Sequence, residues 1–220
     1  MSQSSYYSHP RPQMRAFVPA SARRILDIGC GDGAFAAGLR AERLAQGLDL
    51  EAWGIEQDPD AAARALSHLS EVRCGDAGEV IDELPAGYFD CVVLNDVIEH
   101  IAWPEPLLRG LHRLLAAGGC LVASVPNVRH FPHVWNLVVH GDWEYRDEGI
   151  LDRTHLRFYT RRSLRHLLER CGFRVVRQEG INPTGSLGWR MFDALTLGRA
   201  RDMRYLQFAC LAEPRREEGP

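Results

Sequence analysis

The sequence contains no lysine: all 26 of its basic residues are arginine. Without a lysine amine, the side chains cannot form the Schiff base on which imine-forming enzymes depend. The arginines are scattered along the chain and are outnumbered by 29 acidic residues, so the formal net charge is −3. This charge is a poor match for the phosphate backbone of nucleic acids, and we predict no nucleic-acid partner.

Closely spaced cysteines and long apolar runs are also missing. The six cysteines form no Cys-x-x-Cys pair, and four of them fall in apolar, strand-like runs where a reduced thiol packs as a small hydrophobe. Residues 1–12 are polar and carry no signal-peptide core, and no run approaches the ~18–20 apolar residues that cross a bilayer. We therefore predict a cytoplasmic protein with no transmembrane segment, whose contact with any membrane is peripheral.

What the chain does contain is an alternation of apolar runs and helix-periodic segments, which is typical of a parallel α/β sheet. The apolar runs predict strands at 23–28, 50–56, 71–75, 89–94, 120–125, 173–178 and 205–211. The periodic segments predict helices at 34–46, 59–69, 105–116 and 161–171, with Asp58 as an N-cap, Gly118-Gly119 as a helix end and Gly172 as a C-cap. A loop is predicted between the last two strands.

The domain organisation follows from these elements. We predict one domain over residues 1–213, in which 1–22 forms an N-terminal lid. Residues 127–160 are rich in His, Trp and Tyr and lack a clean period, so they are interpreted as an insertion that lies over the sheet and forms the acceptor site. The charged tail 214–220 is predicted to be disordered.

A glycine loop, Gly29-x-Gly31-x-Gly33, lies between the first strand and the first helix. Such a turn can require glycine for geometry alone. Asp27 argues for a ligand, and against a dinucleotide, since a pyrophosphate at a helix N-terminus is disfavoured by a carboxylate. Glu56 and Asp76 follow at the ends of the next two strands, where an acid can accept ribose hydroxyls or an adenine amine. Each acid alone is more often a solvated loop residue, but together they indicate a cationic, nucleoside-containing ligand.

The motifs resemble those of class I S-adenosylmethionine (SAM) dependent methyltransferases. Residues 25–33 resemble motif I, 54–58 motif II, 74–77 motif III and 89–100 motif IV, and the resemblance covers about 23–178. It implies a Rossmann-like α/β sheet of seven strands in the order 3-2-1-4-5-7-6, with strand 7 antiparallel and helices on both faces. It also implies that SAM is contacted by Asp27, Gly29, Cys30, Gly31, Glu56, Gln57, Asp76, Ala77 and Asn95.

The first candidate for a general base is His100, because it follows the fourth strand, and ligands bind beyond the carboxyl ends of strands in open α/β sheets. The alternative is that His100 only packs between a loop and a helix. A second candidate is His155, since Asp152 lies three residues before it and a carboxylate at that spacing can orient an imidazole.

The segment that holds His155 closely resembles one in bacterial methyltransferases of cell-surface polysaccharide and glycan biosynthesis. Residues 125–130 and 141–145 and the N-terminal Tyr6-Tyr7 belong to the same resemblance. It implies that the acceptor site includes Tyr7, Asn127 and Arg153, the last of which can donate to a substrate oxygen or phosphate.

A metal ion is not predicted, although several His and Asp residues fall in 130–155. Their spacings match no zinc pattern, and magnesium prefers oxygen ligands to imidazoles. Trp135, Trp143 and Trp189 have aromatic faces that suit sugar rings, but they can equally anchor a loop.

Three functions remain open from the sequence. The first is O-methylation of a sugar hydroxyl in surface polysaccharide or glycan biosynthesis. The second is O- or N-methylation of a small molecule such as a quinone ring or a natural product. The third is a non-catalytic, SAM-binding partner protein of methionine metabolism. The acceptor is thus a small molecule or a glycan, and the sequence leaves a homodimer open.

Overall fold

The computed structural model describes residues 11–215 and contains one seven-stranded sheet. The strand order is β3-β2-β1-β4-β5-β7-β6, and β7 runs antiparallel to both of its neighbours. The order and the antiparallel strand were predicted from the sequence and are confirmed. The strands are β1 (Arg24–Ile28), β2 (Glu51–Glu56), β3 (Glu71–Cys74), β4 (Phe89–Asn95), β5 (Leu115–Pro126), β6 (Phe173–Pro183) and β7 (Tyr205–Pro214).

Eight α-helices accompany the sheet within these residues. They are α1 (Pro12–Arg15), α2 (Ala34–Leu44), α3 (Pro59–Ala65), α4 (Ala77–Val80), α5 (Pro104–Leu114), α6 (Phe131–Trp135), α7 (Arg161–Arg170) and α8 (Leu187–Leu195). Two predicted caps are confirmed. The Asp58 side chain accepts from the Ala61 amide at 2.7 Å, and Gly172 follows α7 with a φ of 87°. A cap oxygen satisfies an amide that has no partner inside the helix, which fixes where α3 begins.

The hydrophobic core has two parts, one on each face of the sheet. Alternate residues of β4 supply both: Val92 and Leu94 belong to one cluster, while Cys91 and Val93 belong to the other. All four are fully buried, as expected for a strand with its two faces covered by helices. Burial of each Val or Leu side chain contributes roughly 1.5–3 kcal/mol to the stability of the fold. This central strand therefore holds the carboxyl-end edge of the sheet firmly in place.

The segment around Gly118 and Gly119 differs from prediction. Helix α5 ends at Leu114, four residues earlier than Gly118, and Leu115 already pairs with Phe89 of β4. The Tyr88 amide donates to the Leu114 carbonyl at 2.9 Å, so pairing with the start of β4 draws the chain out of the helix. The two glycines instead lie inside β5, where its register against β4 shifts.

Two other predictions need correction. The connection between β6 and β7 is not only a loop, because it contains α8. Pro214 belongs to β7, so the tail begins later than expected, and residues 216–220 lie outside the described part of the chain. The insertion 127–160 contains α6 followed by a π-helical turn, Asn136–His140. Its two ends meet where Asn127 bridges to Tyr159.

The described part of the predicted lid packs on the core. Met14, Phe17 and Val18 are buried, and Arg11 forms an ion pair with Asp96 beyond the end of β4. Across residues 11–215, no helix is both long enough and apolar enough to cross a membrane.

Candidate active site

The glycine loop turns sharply between β1 and α2. Gly29, Gly31 and Gly33 have φ values of 70°, 56° and 85°, a region that residues with a Cβ rarely adopt. A Cβ on Gly29 would also lie 2.7 Å from a methyl carbon of Val97. The loop thus needs glycine both for its backbone and for its close approach to the segment after β4.

Glu56, at the end of β2, is tied to this loop. One oxygen of its buried carboxylate accepts from the Gly31 amide and the other from the Asp58 amide, each at 2.9 Å. A carboxylate oxygen has lone pairs for more than one donor, so both oxygens can still accept from a ligand hydroxyl. The predicted ribose contact therefore fits the geometry.

Asp27 is the most perturbed group of the loop. It is 1% exposed, and its Oδ1 has no hydrogen-bond partner within the described residues. Burial, opposed by the Arg11 guanidinium and aided by the nearby Glu56 carboxylate, raises its pKa from 3.8 to about 7. A buried carboxylate without a partner is costly, and a ligand ammonium or sulfonium would supply the missing charge. The residues of this loop therefore fit SAM.

The remaining predicted cofactor residues divide into two groups. Asn95 ends β4, is 6% exposed, and leaves both atoms of its amide without a partner in residues 11–215. Gln57 and Asp76 are exposed at the ends of β2 and β3, and Asp76 accepts from the Gly78 amide at 2.8 Å as the N-cap of α4, which starts at Ala77. Asn95 can pair with a buried ligand group, whereas Gln57, Asp76 and Ala77 lie at an open rim.

Cys30 packs behind the glycine loop rather than into it. Its Sγ would lie 2.6 Å from a Cβ on Gly54 of β2, and burial raises the pKa of this thiol. The Cys30 side chain is thus a core contact, and only its backbone lies on the loop.

Sequence reasoning missed Asp96, which has a positive φ of 54° just after β4. Its carboxylate accepts from Arg11, from Gln207 and from the Ser124 hydroxyl. These partners come from the N-terminal segment, β7 and β5. No sequence signal marks Asp96, because its partners are assembled only by the sheet.

The two candidate histidines lie against each other. The ring centroids of His100 and His155 are 4.7 Å apart in an edge-to-face arrangement. Burial lowers the pKa of His100, and the adjacent His155 lowers it further. The lowered pKa favours the neutral imidazole of His100, which is the form that a general base requires.

Asp152 does not orient His155, contrary to the prediction. His155 Nδ1 lies 3.0 Å from the Ile150 carbonyl, so it carries the proton and donates it there. The Asp152 carboxylate instead accepts from the Thr154 amide at 2.8 Å and from the Thr154 hydroxyl at 2.5 Å. Asp152 closes a local turn, and this backbone requirement decides where its oxygens point.

Thr154, also missed from the sequence, links Asp152 to His100. Its Oγ1 lies 3.0 Å from His100 Nδ1. Since the hydroxyl has one proton and the Asp152 carboxylate only accepts, the hydroxyl donates to Asp152 and accepts from His100 Nδ1–H. This arrangement leaves the Nε2 of His100 unprotonated.

Glu99 completes a three-residue cluster with these histidines. It is 1% exposed, neither carboxylate oxygen has a hydrogen-bond partner in the described chain, and His155 Nε2 lies 4.0 Å from Oε1. Burial and the charge of Asp96 raise its pKa well above its ordinary value. One potential ligand atom from each of Glu99, His100 and His155 lies within 4.8 Å of the others. Either a proton or a divalent cation could therefore satisfy the cluster.

Two of the predicted acceptor-binding residues, Asn127 and Arg153, lie in the described part of the chain, and each is held by other partners. Asn127 is fully buried, and its amide donates to the carbonyls of Asp202 and Tyr205, so it fastens the insertion to β7. Arg153 is exposed and pairs with Asp147 at 3.2 Å. Tyr7 lies outside the described residues. Asn127 and Arg153 were assigned from a local resemblance, which does not specify where a side chain points.

A family model described as a methyltransferase domain matches residues 5–178. The ubiquinone biosynthesis O-methyltransferase of Cereibacter sphaeroides is 29% identical over 188 residues, which cover 82% of this chain and 72% of that protein. The protein of the same name from Caulobacter sp. (strain K31) is 32% identical over 116 residues, 50% of this chain and 43% of that protein. The chain thus spans less than half the length of the Caulobacter relative.

Solved structures show the same fold. A SAM-dependent methyltransferase from Archaeoglobus fulgidus superposes with a TM-score of 0.67 at 21% identity, covering 96% of this chain and 94% of that chain. At this identity the likeness shows the fold alone. The two curated relatives carry ubiquinone names, rather than the polysaccharide names that the resemblance of the insertion favoured.

Proposed function

The chain belongs to the methyltransferase-domain family, with SAM as its methyl donor, and we propose that it transfers the methyl group to a hydroxyl oxygen of a small-molecule acceptor. The observation that carries this proposal is the contact between His100 and His155. The pair lies beyond Asn95, the last residue of β4, at the same edge of the sheet as the glycine loop. A hydroxyl is a weak nucleophile until its proton is removed, and a neutral imidazole is suited to accept that proton.

The donor is proposed to lie along the carboxyl ends of β1, β2 and β4. Asp27 would face a cationic group, Glu56 the ribose hydroxyls and Asn95 a polar group of the bound molecule. The backbone at Gly29, Cys30 and Gly31 would pass close to the cofactor, with Gln57, Asp76 and Ala77 at the adenine rim. The unpartnered atoms of Asp27 and Asn95 support this placement, because both are buried next to the loop.

In the proposed reaction the acceptor oxygen attacks the methyl carbon of SAM. The O–C bond forms, the S–C bond breaks and its electron pair stays on sulfur, which leaves S-adenosylhomocysteine. The hydroxyl proton passes to His100 Nε2, while Thr154 and Asp152 hold the opposite nitrogen. His155 would lie beside the acceptor with Glu99 behind it. Alignment of the two reactants supplies several kcal/mol of the barrier reduction.

We propose a ring hydroxyl as the first acceptor, since the two relatives are named ubiquinone biosynthesis O-methyltransferases. A sugar hydroxyl, as in glycan or surface polysaccharide biosynthesis, is the second candidate. It is favoured by Trp143 in the insertion, whose ring contacts His133 and Phe158 with centroids 4.8 and 5.5 Å away, because aromatic faces suit sugar rings.

The test is methyl transfer from labelled SAM to a catechol-type phenol and to a set of hexoses. His100→Ala should lower kcat by roughly 10²–10⁴-fold, while SAM binding stays unchanged. His140→Ala is the matched control, because His140 is exposed at the end of the π-helical turn. Full activity in both His100→Ala and His155→Ala would rule out a histidine base.

Two further arms separate the alternatives. Wild-type protein that binds SAM but methylates no acceptor would favour the non-catalytic, SAM-binding partner. Treatment with EDTA tests the cluster of Glu99, His100 and His155. If activity is lost and returns with added divalent cation, the cluster holds a metal; if it is unchanged, the cluster works through protons alone.

A further inference from the structure

Exposed large hydrophobic side chains are concentrated around α6 and α8. Of the fourteen large hydrophobic side chains that are exposed in residues 11–215, eight lie in two short segments. We call this the α6–α8 face and define it by Trp135, Leu137, Val138, Val139, Leu187, Met191, Leu195 and Leu197. Scattered exposed hydrophobics are normal, but a contiguous patch marks an interaction site.

The two segments are neighbours in space, although they are about 50 residues apart in the sequence. The Phe131 ring of α6 contacts Phe192 of α8 with centroids 5.5 Å apart, and a Cβ on Gly188 would lie 3.4 Å from that ring. Phe131, Ala200 and Met203 form a small buried cluster beneath them. The two segments thus pack against each other through their inner side chains, whereas the hydrophobic side chains on their outer sides remain exposed to solvent.

Helix α8 presents its outer side as a regular stripe. Leu187, Met191 and Leu195 are spaced four residues apart and are 69%, 60% and 81% exposed. Residues at this spacing lie one above the other along a helix. Leu197, 83% exposed, continues the stripe after the helix ends. An apolar stripe on a solvent-exposed helix face is unfavourable unless a partner covers it.

Positive charge borders the apolar stripe. A cavity of about 440 Å³ is lined by Arg129, Arg161, Arg162, Arg165, Arg199 and Arg201. It shares Gly198 and Arg201 with a second hollow along α8 that also contains Arg190. Asp193 and Asp202 are the acids of this region, and Asp202 already pairs with Arg129 at 2.6 Å.

Four of the arginines at this border are not neutralised by an acidic side chain of the described residues. Arg162, Arg190, Arg199 and Arg201 are exposed, and none of them forms an ion pair within the described residues. In a chain of net charge −3, such a local excess of positive charge selects for an anionic partner.

We propose that the α6–α8 face docks in the plane of an anionic lipid bilayer. Its apolar side chains would enter the boundary between headgroups and acyl chains, and the bordering arginines would meet lipid phosphates. A second copy of the chain fits less well, because a twofold interface on this face would bring the same arginines together.

This docking deepens the proposed function and rests on it. The insertion starts and ends at the carboxyl end of β5, where the Val128 amide donates to the Tyr159 carbonyl at 2.9 Å. It holds both α6 and His155, so the docking face and the acceptor site belong to one segment. The acceptor class this implies is a hydroxyl-bearing molecule dissolved in the bilayer, which reaches the site without crossing water.

Co-sedimentation with vesicles tests the docking. Wild-type protein should bind phosphatidylcholine vesicles that contain phosphatidylglycerol and should bind pure phosphatidylcholine much more weakly. The pair Leu195→Asp with Leu197→Asp should weaken binding at least about tenfold. The control pair Leu44→Asp with Leu66→Asp changes leucines that are 67% and 58% exposed elsewhere and should bind as wild type does.

The charge is tested separately. Arg199→Gln with Arg201→Gln should weaken binding to the anionic vesicles by about 25-fold, since each arginine near such a surface contributes about fivefold. Arg40→Gln with Arg64→Gln, two exposed arginines on α2 and α3, should leave binding unchanged.

The outcomes keep docking and catalysis apart. SAM binding and methylation of a water-soluble acceptor should be the same in all four double variants and in wild type. If wild-type protein is active but stays off both kinds of vesicle, or forms a dimer that the Leu195→Asp/Leu197→Asp pair dissociates, the docking proposal is overturned. Vesicle binding without any methyl transfer would overturn the proposed function instead.

Discussion

Asp27 illustrates how a single buried side chain couples ligand binding to stability. It lies at the end of β1, where the sheet removes it from water, and the loop supplies no donor to its Oδ1. Its ionised form is therefore unfavourable in the ligand-free fold, which is why its pKa rises to about 7. A cationic cofactor would reverse this, because the carboxylate would then have a partner.

A first prediction concerns Asp27→Asn and pH. Since the folded pKa of about 7 exceeds the unfolded value of 3.8, folding favours the protonated carboxyl. The free energy of unfolding should fall as pH rises from about 4 to above 7, by an amount on the order of 4 kcal/mol. Urea unfolding at pH 5 and pH 8 should show roughly 2.6 kcal/mol of this change, and the Asn variant should lose that part of the pH dependence.

The exposed Asp60, changed to Asn, is the control and should keep the wild-type pH dependence. SAM affinity provides a second readout. In wild type it should strengthen as pH rises through about 7, because the carboxylate form binds the cation, and the Asn variant should bind weakly at both pH values. Equal pH slopes of stability in wild type and Asp27→Asn would contradict this account.

At the scale of elements, the glycine loop and the segment after β4 are built as one unit. Gly29 lies against Val97, and the same short segment carries Asp96, Glu99 and His100. The glycine loop, which we propose lies over the cofactor, and the turn that carries His100 are therefore expected to move together. A change in one is expected to displace the other.

A second prediction tests this coupling with Gly29→Ala. The variant forces a φ of 70° on alanine and places its Cβ 2.7 Å from a Val97 methyl carbon. Gly47→Ala is a matched control, with a φ of 72° and nothing within 4 Å of the added carbon. Each should lose roughly 1–2 kcal/mol from backbone strain. Only Gly29→Ala should lose more than this and also weaken SAM binding.

Chemical denaturation and SAM titration of both variants provide the measurements. Equal destabilisation of Gly29→Ala and Gly47→Ala, with SAM binding intact in both, would show that the contact with Val97 is unimportant.

For the whole molecule, cofactor binding and global stability are linked. The proposed donor contacts come from β1, β2 and β4, which form the centre of the sheet. The same strands supply both halves of the hydrophobic core. A ligand that binds these strand ends binds only the folded chain, so it stabilises the molecule as a whole.

A third prediction follows for thermal unfolding. SAM at about 100 times its Kd should add about 2.7 kcal/mol to the free energy of unfolding, which corresponds to several degrees in Tm for a chain of this size. Glu56→Ala should abolish the shift, while Glu56→Gln, which keeps one acceptor oxygen, should retain part of it. Ligand-free protein that shows no shift with SAM or S-adenosylhomocysteine would contradict the cofactor assignment.

The sequence by itself determined the features that depend on short stretches of chain. The turn glycines, the cap at Asp58 and the apolar strands depend on neighbouring residues, and the motifs in 25–100 specify the strand order by resemblance. Glu56 lies where its motif implied, tied to Gly31. Such features survive in sequence because turn geometry and hydrophobic alternation act over a few residues.

The tertiary structure alone decided how the histidine site is assembled. His100 and His155 are 55 positions apart, and their contact requires the insertion to fold back over the end of β4. Asp152 suited His155 by spacing, yet the local turn directs its carboxylate to Thr154 and so to His100. Helix α5 likewise ends at Leu114 because pairing with β4 outweighs helix propensity. Side-chain direction and long-range pairing are settled by packing, which short-range patterns do not record.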